Sequence, residues 1–186
     1  MSPVQTTAKD SILVVDDEPQ VLVALEDVLG EEFTVLTADN AQSAIDVLAR
    51  DPGISVIVTD QRMPNMTGDE LLARVRTTSP AVSILLTGFA DLTAVIRAVN
   101  DGRLFAYVTK PWDVADLRMK VAKAAQHYRL EQELTYERRL LTDLMESAQD
   151  VIFFKDMDLR FMRVNRAFAE LCGASDPATF TGKRLS

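Results

Sequence analysis

Five times over residues 11–125, a short apolar run of strand character gives way to apolar residues at helical spacing. The strand-like runs fall at 12–15, 33–37, 56–59, 82–86 and 106–109. Several are continuously apolar, Ile-Leu-Val-Val and Val-Ile-Val among them, which suits strands covered by helices on both faces. Between them the helical pattern occupies 20–29, 41–50, 69–76 and 92–100, and a fifth helix begins after Pro111. Strand alternating with helix predicts a doubly wound α/β domain around a five-stranded parallel sheet. The punctuation agrees, with Pro19 at a helix start, Gly30 and Gly102 after helix ends, and a turn at Asp51-Pro52-Gly53. Residues 1–10 are polar and read as a flexible N-terminus.

From Asp113 no glycine or proline appears until Gly173, and helix formers dominate as far as Ser147. Leu117, Val121, Ala124 and Tyr128 form one apolar stripe; Leu130, Leu134, Leu141 and Leu144, continued by Ala148, form a second that does not join the first in one heptad register. A long helix must bury such a stripe somewhere, either in a two-helix coiled coil with a register break or back against its own domain. A helical linker is therefore expected over 126–147. Residues 148–186 read as a strand, a turn near Asp156 to Leu159, a second strand and a helix around 166–171, too little material for a closed core.

Composition narrows the function classes. At 47% hydrophobic residues a packed core is affordable, yet no apolar run approaches the roughly 20 residues that cross a bilayer. With no signal-peptide pattern at the N-terminus, a soluble, cytoplasmic protein is expected. Cys172 is the sole cysteine, which excludes an internal disulfide, and a buried apolar role is expected for it. The net charge of -8 is concentrated in residues 1–112, with 16 acidic against 8 basic side chains, which argues against a nucleic-acid surface there.

On a doubly wound sheet, ligands bind outside the carboxyl ends of the strands. Those ends carry Asp16, Asp17 and Glu18 after the first strand, Asp60 at the third, Thr87 at the fourth and Thr109-Lys110-Pro111 at the fifth. Asp16, Asp17 and Asp60 crowded together would repel one another unless a cation lay among them, and an oxygen-only donor set suits Mg²⁺. A carboxylate can attack phosphorus to give an acyl phosphate if the metal and a fixed ammonium neutralise the transferring oxygens. Lys110 supplies such an ammonium and the Thr87 hydroxyl a further donor. Each piece alone has a plainer reading: a double Asp after a strand is commonly a turn or a helix N-cap.

The stretches Ile-Leu-Val-Val-Asp-Asp-Glu-Pro at 12–19, Val-Thr-Asp-Gln-Arg-Met-Pro-Asn-Met-Thr-Gly at 58–68, Leu-Leu-Thr-Gly at 85–88 and Tyr-Val-Thr-Lys-Pro-Trp at 107–112 resemble the receiver domain of two-component response regulators. The resemblance covers nearly all of residues 11–125. It implies that Asp60 is the phosphoacceptor, served by a partner histidine kinase or phosphotransfer protein. It implies Mg²⁺ on Asp17, Asp60 and the backbone carbonyl of Arg62, with Asp16 acting partly through water. Thr87 and Lys110 contact the phosphoryl group in this picture, Tyr107 is a switch aromatic, and Lys110-Pro111 is a cis peptide. Arg62 and Phe89, two residues past Asp60 and Thr87, are expected to border the path of water to the acyl phosphate and to slow its hydrolysis. Asp-Val-Ile-Phe-Phe-Lys-Asp and Phe-Met-Arg-Val-Asn-Arg-Ala-Phe resemble the opening of a PAS sensory domain, of which 148–186 would be the N-terminal part.

The expected whole is a signalling protein rather than an enzyme, its own chemistry limited to self-catalysed aspartyl phosphorylation and dephosphorylation. It would pass its state through a homodimeric 113–147 helix to the PAS segment and an output outside this chain: a diguanylate cyclase, a histidine kinase or a phosphodiesterase. A phosphorylation-independent dimerisation scaffold is the alternative. A haloacid dehalogenase-type phosphatase would want Asp-x-Asp after the first strand, which Asp16-Asp17-Glu18 does not supply. A flavodoxin-like carrier would want a Ser/Thr-rich loop there. His127, the only histidine, lacks an acidic sequence neighbour and reads as a solvated or interface residue.

Overall fold

The computed structural model describes residues 9–88 and 104–184, and the chain divides into two compact units at Leu130/Glu131. The predicted helix at 92–100, Gly102 and Phe89 lie outside the described residues.

In the first unit, β1 (Ser11–Val15), β2 (Thr34–Ala38), β3 (Ile54–Asp60), β4 (Val82–Thr87) and β5 (Ala106–Thr109) form one parallel sheet in the order β2-β1-β3-β4-β5. Its helices are α1 (Pro19–Leu29), α2 (Ala41–Arg50), α3 (Gly68–Val75) and the first part of α4 (Val114–Ser147). Local chemistry sets where they begin. Pro19 occupies the first turn of α1, where its missing N–H leaves no bond unmade. Asn40 caps α2 by accepting from the Ser43 N–H at 2.8 Å, and Glu70 folds back to accept from the Thr67 N–H at 3.0 Å ahead of α3.

The sheet is buried on both faces. On one side Ile12, Val14, Val56, Val58, Ile84 and Leu86 pack with Leu25 and Leu29 of α1 and with Leu117, Val121 and Ala124 of α4. On the other, Leu13, Val15, Ile57 and Leu85 pack with Ala44 and Leu48 of α2 and Leu71 and Leu72 of α3. Side chains therefore alternate between two cores along each strand, which is why the strands read as unbroken apolar runs.

The two stripes of the long helix have different fates. Leu117, Val121 and Ala124 are fully buried in the first unit's core, with Tyr128 packed at its edge. Leu130, Leu134, Leu141 and Leu144 are 47–59% exposed. The slip in register between the stripes marks where the helix stops serving the sheet. Of the two stripes, only the first is buried within the first unit.

In the second unit, β6 (Phe153–Lys155) and β7 (Phe161–Val164) form an antiparallel pair, followed by α5 (Arg166–Leu171) and a 3-10 turn at Pro177–Phe180. Phe161, Val164 and Phe168 make a small core with Phe180 against it. Asp156 closes the hairpin by accepting from the Asp158 and Arg160 N–H groups, both at 2.9 Å, while Leu159 takes a positive φ of 59°. Cys172, expected to be buried, is exposed. It sits just past α5, whose buried residues are Phe168 and Ala169, and the small core does not extend over it.

Candidate functional site

The order β2-β1-β3-β4-β5 reverses direction between β1 and β3, the switch point outside whose carboxyl ends sheets of this kind bind ligands. Val15 pairs with Thr59, so Asp16 and Asp60 leave adjacent strands at the same level. Both are buried, Asp16 completely and Asp60 to 6% exposure. Two buried carboxylates are tolerable only when opposite charge and hydrogen bonds reach them. Lys110 provides the charge, its Nζ lying 2.5 Å from Asp60 Oδ1 and 2.8 Å from Asp16 Oδ2.

The remaining oxygens are also engaged. Asp16 Oδ1 accepts from the Glu18 N–H at 2.9 Å, so Asp16 is at once the turn-forming residue ahead of α1 and a partner of Lys110. Asp60 Oδ2 accepts from the Arg62 N–H at 2.6 Å. Burial, the largest single influence on Lys110, lowers its pKa, but hydrogen bonds to Asp16 and Asp60 and the charges of both outweigh it and raise the ammonium above its ordinary value. Lys110 is thus held charged. Its N–H donates to the Thr87 carbonyl at 2.8 Å, and the Lys110-Pro111 peptide is cis.

Thr87 lies at the end of β4, 1% exposed, its hydroxyl donating to the Gly88 carbonyl at 3.2 Å. Tyr107 stands on the edge strand β5 at 41% exposure, with the Lys120 ammonium of α4 5.8 Å from its ring centroid. Asp17 and the Arg62 side chain are exposed beside the buried residues. Asp16, Asp60 and Lys110 are therefore brought into direct contact, Thr87 is joined to them through the backbone of Lys110, and Tyr107 stands apart on the surface. His127 is exposed and stacks on Phe105, ring centroids 5.3 Å apart.

Among the described residues no group of three or more His, Cys, Asp and Glu side chains is gathered closely enough to hold a metal ion. Asp16 and Asp60 converge on the Lys110 ammonium instead, and Asp17 faces solvent beside them. By type, the donors nevertheless fit Mg²⁺, being carboxylate and carbonyl oxygens only.

Two positioning features were not singled out from the sequence. Gly68 begins α3 so close to β3 that a Cβ there would stand 2.2 Å from the Asp60 carbonyl oxygen and 2.7 Å from Leu85 Cδ1. Gln61, 7% exposed, donates through Nε2 to Asp69 at 2.8 Å, and its backbone carbonyl accepts from the Gly68 N–H at 3.1 Å, tying the loop after Asp60 to α3. The Thr67-x-x-Glu70 capping box was the available signal for a helix starting at this point.

A family model described as the response regulator receiver domain matches residues 12–122, and one described as the PAS fold matches 145–186. The chain belongs to the response regulator receiver family. It is 45% identical over 103 residues to the hydrogenase transcriptional regulatory protein HoxA of Cupriavidus necator, a match covering 55% of this chain and 21% of that protein. Among solved structures, it is similar to a response regulator receiver domain protein from Clostridium thermocellum, at 31% identity and a TM-score of 0.61, covering 64% of this chain and 97% of that one. A structure described as adenylate cyclase from Rhodopirellula baltica matches at 33% identity and a TM-score of 0.66, covering 72% of this chain and 97% of that chain. The match spans about a fifth to a third of the length of the curated relatives, 21% for HoxA and 30% for the regulator PilR of Pseudomonas aeruginosa. Among the described residues, no helix is long and apolar enough to cross a membrane.

Proposed function

We propose that Asp60 accepts a phosphoryl group from a sensor histidine kinase or phosphotransfer protein, and that its phosphorylation state is the signal this chain transmits. The observation that carries the reading is the convergence of the Lys110 ammonium on Asp16 and Asp60 at the switch point of the sheet. In the transfer, the donor's phosphorus–nitrogen bond breaks, its electron pair stays on the histidine, and an Asp60 carboxylate oxygen forms the new bond to phosphorus. Mg²⁺, held by Asp17, Asp60 and the Arg62 carbonyl with Asp16 acting partly through water, would supply charge neutralisation at the phosphoryl oxygens.

Lys110 already lies against the reactive carboxylate and needs little rearrangement to neutralise a phosphoryl oxygen, so positioning and fixed charge do most of the work. The Thr87 hydroxyl, now on the Gly88 carbonyl, turns to donate to a phosphoryl oxygen. Tyr107 answers by moving inward from its exposed position on β5. Arg62 and Phe89 shield the acyl phosphate from water. The change then passes along α4, in a homodimer, to the PAS segment and an output beyond this chain. A diguanylate cyclase, a histidine kinase and a phosphodiesterase suit that place; a DNA-bound output, as in relatives named transcriptional regulators, is a further one.

Acetyl phosphate with Mg²⁺ should add one phosphoryl group to the intact chain by mass spectrometry, and Asp60→Asn or EDTA should abolish the addition. An unmodified wild-type chain would favour the phosphorylation-independent scaffold. A phosphoryl half-life of seconds would sink the shielding role of Arg62 and Phe89. Beryllofluoride with Mg²⁺ should alter dimer affinity or the spacing of spin labels on α4; no response in either would overturn the relay.

A further inference from the structure

The exposed leucine stripe carries more information than the existence of a dimer. With Leu134 and Leu141 at a positions of a heptad, Leu130 and Leu144 fall at d, Glu133 at g and Arg138 at e. Glu137 occupies the one d position between Leu130 and Leu144, where a leucine would continue the seam. Glu133, Glu137 and Arg138 are all exposed, and Leu134, Leu141 and Leu144 are 47%, 57% and 59% exposed. The rest of the second unit does not cover them: the hairpin is seated on another flank of the helix. There Met145 is buried, the Asn165 amide donates to the Met145 carbonyl at 3.1 Å, and the Arg163 guanidinium donates to the Thr142 hydroxyl.

Charge decides which occupant fits this seam. In a parallel, in-register pair, a g residue faces the e residue five positions on in the other helix, so Glu133 meets Arg138 of the second copy, twice by symmetry. A d side chain also packs beside the e residue of the opposite helix, which brings Glu137 to the same arginine. In the antiparallel alignment that stacks Leu134 on Leu144, the two Arg138 side chains instead lie side by side and repel. The acidic excess of the parallel layer, four carboxylates around two guanidinium groups, keeps the pairing weak enough to be adjusted from outside.

We propose that residues 130–144 form a parallel, in-register two-helix coiled coil with a second copy of this chain, set in register by Glu133 against Arg138 and held marginal by Glu137 at a core position. The proposal rests on the homodimer reading above and adds its direction, its register and the residue that limits its affinity. Glu137 is a tuning residue: a weak seam leaves room for a change in the receiver to alter the dimer.

The test uses the full 186-residue chain in analytical ultracentrifugation at low ionic strength. Glu137→Leu should tighten the dimer by about tenfold or more, since it completes the apolar seam and removes like charge from it. Arg138→Glu should weaken it by about fivefold to tenfold, and Glu133→Lys with Arg138→Glu should restore most of the loss, a recovery that simple loss of packing would not show. In a Cys172→Ser background, Leu144→Cys should form a disulfide between equivalent positions of the two copies on oxidation. If dimers persist but the charge exchange does not restore them, or the two introduced thiols do not couple, the register is wrong while the dimer reading stands. If even Glu137→Leu stays monomeric, the dimer reading falls with it.

Discussion

The two units bury their apolar residues in different ways. In the first, a five-stranded sheet has a core on each face, and most of its buried polar side chains, Asp16, Thr59, Asp60, Gln61 and Thr87, cluster at the carboxyl ends of the strands. In the second, three buried core side chains carry a two-stranded sheet, while Phe153, Phe154, Met157, Leu159, Met162 and Leu171 remain 48–100% exposed. A two-faced core can hold charged groups out of water because the scaffold around them is over-determined; a one-sided core has no such reserve. The buried charged cluster accordingly belongs to the first unit, while the second leaves most of its large apolar side chains in contact with solvent.

Removing the centre of the smaller core should separate the two units most clearly. Phe161 is 2% exposed and packs edge-on or tilted against Phe153, Phe168 and Phe180. Phe161→Ala should cost about 3–5 kcal/mol, more than so small a core can lose. Hydrogen exchange should show the amides of 150–184 unprotected while those of β1, β3 and β4 keep their wild-type rates. Simultaneous loss in both would show that the units are not independent.

Asn165 is the second unit's one fully buried polar side chain among the described residues, and it joins three segments. Its Oδ1 accepts from the Ile152 and Phe168 N–H groups at 2.9 and 3.1 Å, and its Nδ2 donates to the Met145 and Asp150 carbonyls at 3.1 and 2.8 Å. Asn165→Ala removes a helix cap and leaves buried backbone groups unpaired, an effect of about 2–3 kcal/mol. Thermal unfolding followed at the second unit should shift down by several degrees, with phosphorylation by acetyl phosphate unchanged.

A smaller change tests the first unit's site. Gly68→Ala forces α3 away from the Asp60 carbonyl and should cost about 2 kcal/mol through overpacking. Because the displaced group belongs to Asp60 itself, the rate of phosphorylation should fall by more than the loss of stability explains. Equal rates in a destabilised protein would show that the start of α3 does not position the carboxylate.

The unequal legibility of the two units follows from the same contrast. Alternation of period-2 and period-3.6 patterns found all five strands of the first sheet within two residues at either end, and Ala41–Arg50 at both ends, because two-sided burial imposes the pattern on every position. Asp16, Asp60 and Lys110 were legible as a set because they share the strand ends. Gly68 and Gln61 were not, since their roles depend on a close approach between β3 and α3 that no local pattern encodes. Cys172 was misread because residue type predicts burial only where a core exists to receive it. Asn165 shows the same limit: its neighbours in sequence give a helix cap, but the bonds to Met145 and Asp150 come from the tertiary fold.

The smallest expected effect lies at Tyr128, where α4 leaves the first unit's core. Burial first, then the negative charges of Asp10 and Asp51, raise the pKa of its phenol above the ordinary value of 10.0. Its hydroxyl points to the Pro52 carbonyl at 3.5 Å, and the neighbouring Arg129 pairs with Asp10. The folded state binds the phenolic proton more tightly than the unfolded chain does. Stability from this source is therefore fully present below the ordinary phenol value and is lost as pH rises through the raised one. Tyr128→Phe should leave the pH dependence unchanged below about pH 9.5 and flatten the alkaline limb above it. The raised pKa of Lys110 adds its own alkaline dependence to both proteins, so only the difference between them isolates Tyr128. Denaturant midpoints measured between about pH 8 and about pH 11 decide the matter: parallel curves would mean that this tyrosine titrates alike in both states and that the electrostatic hold on the base of α4 is absent.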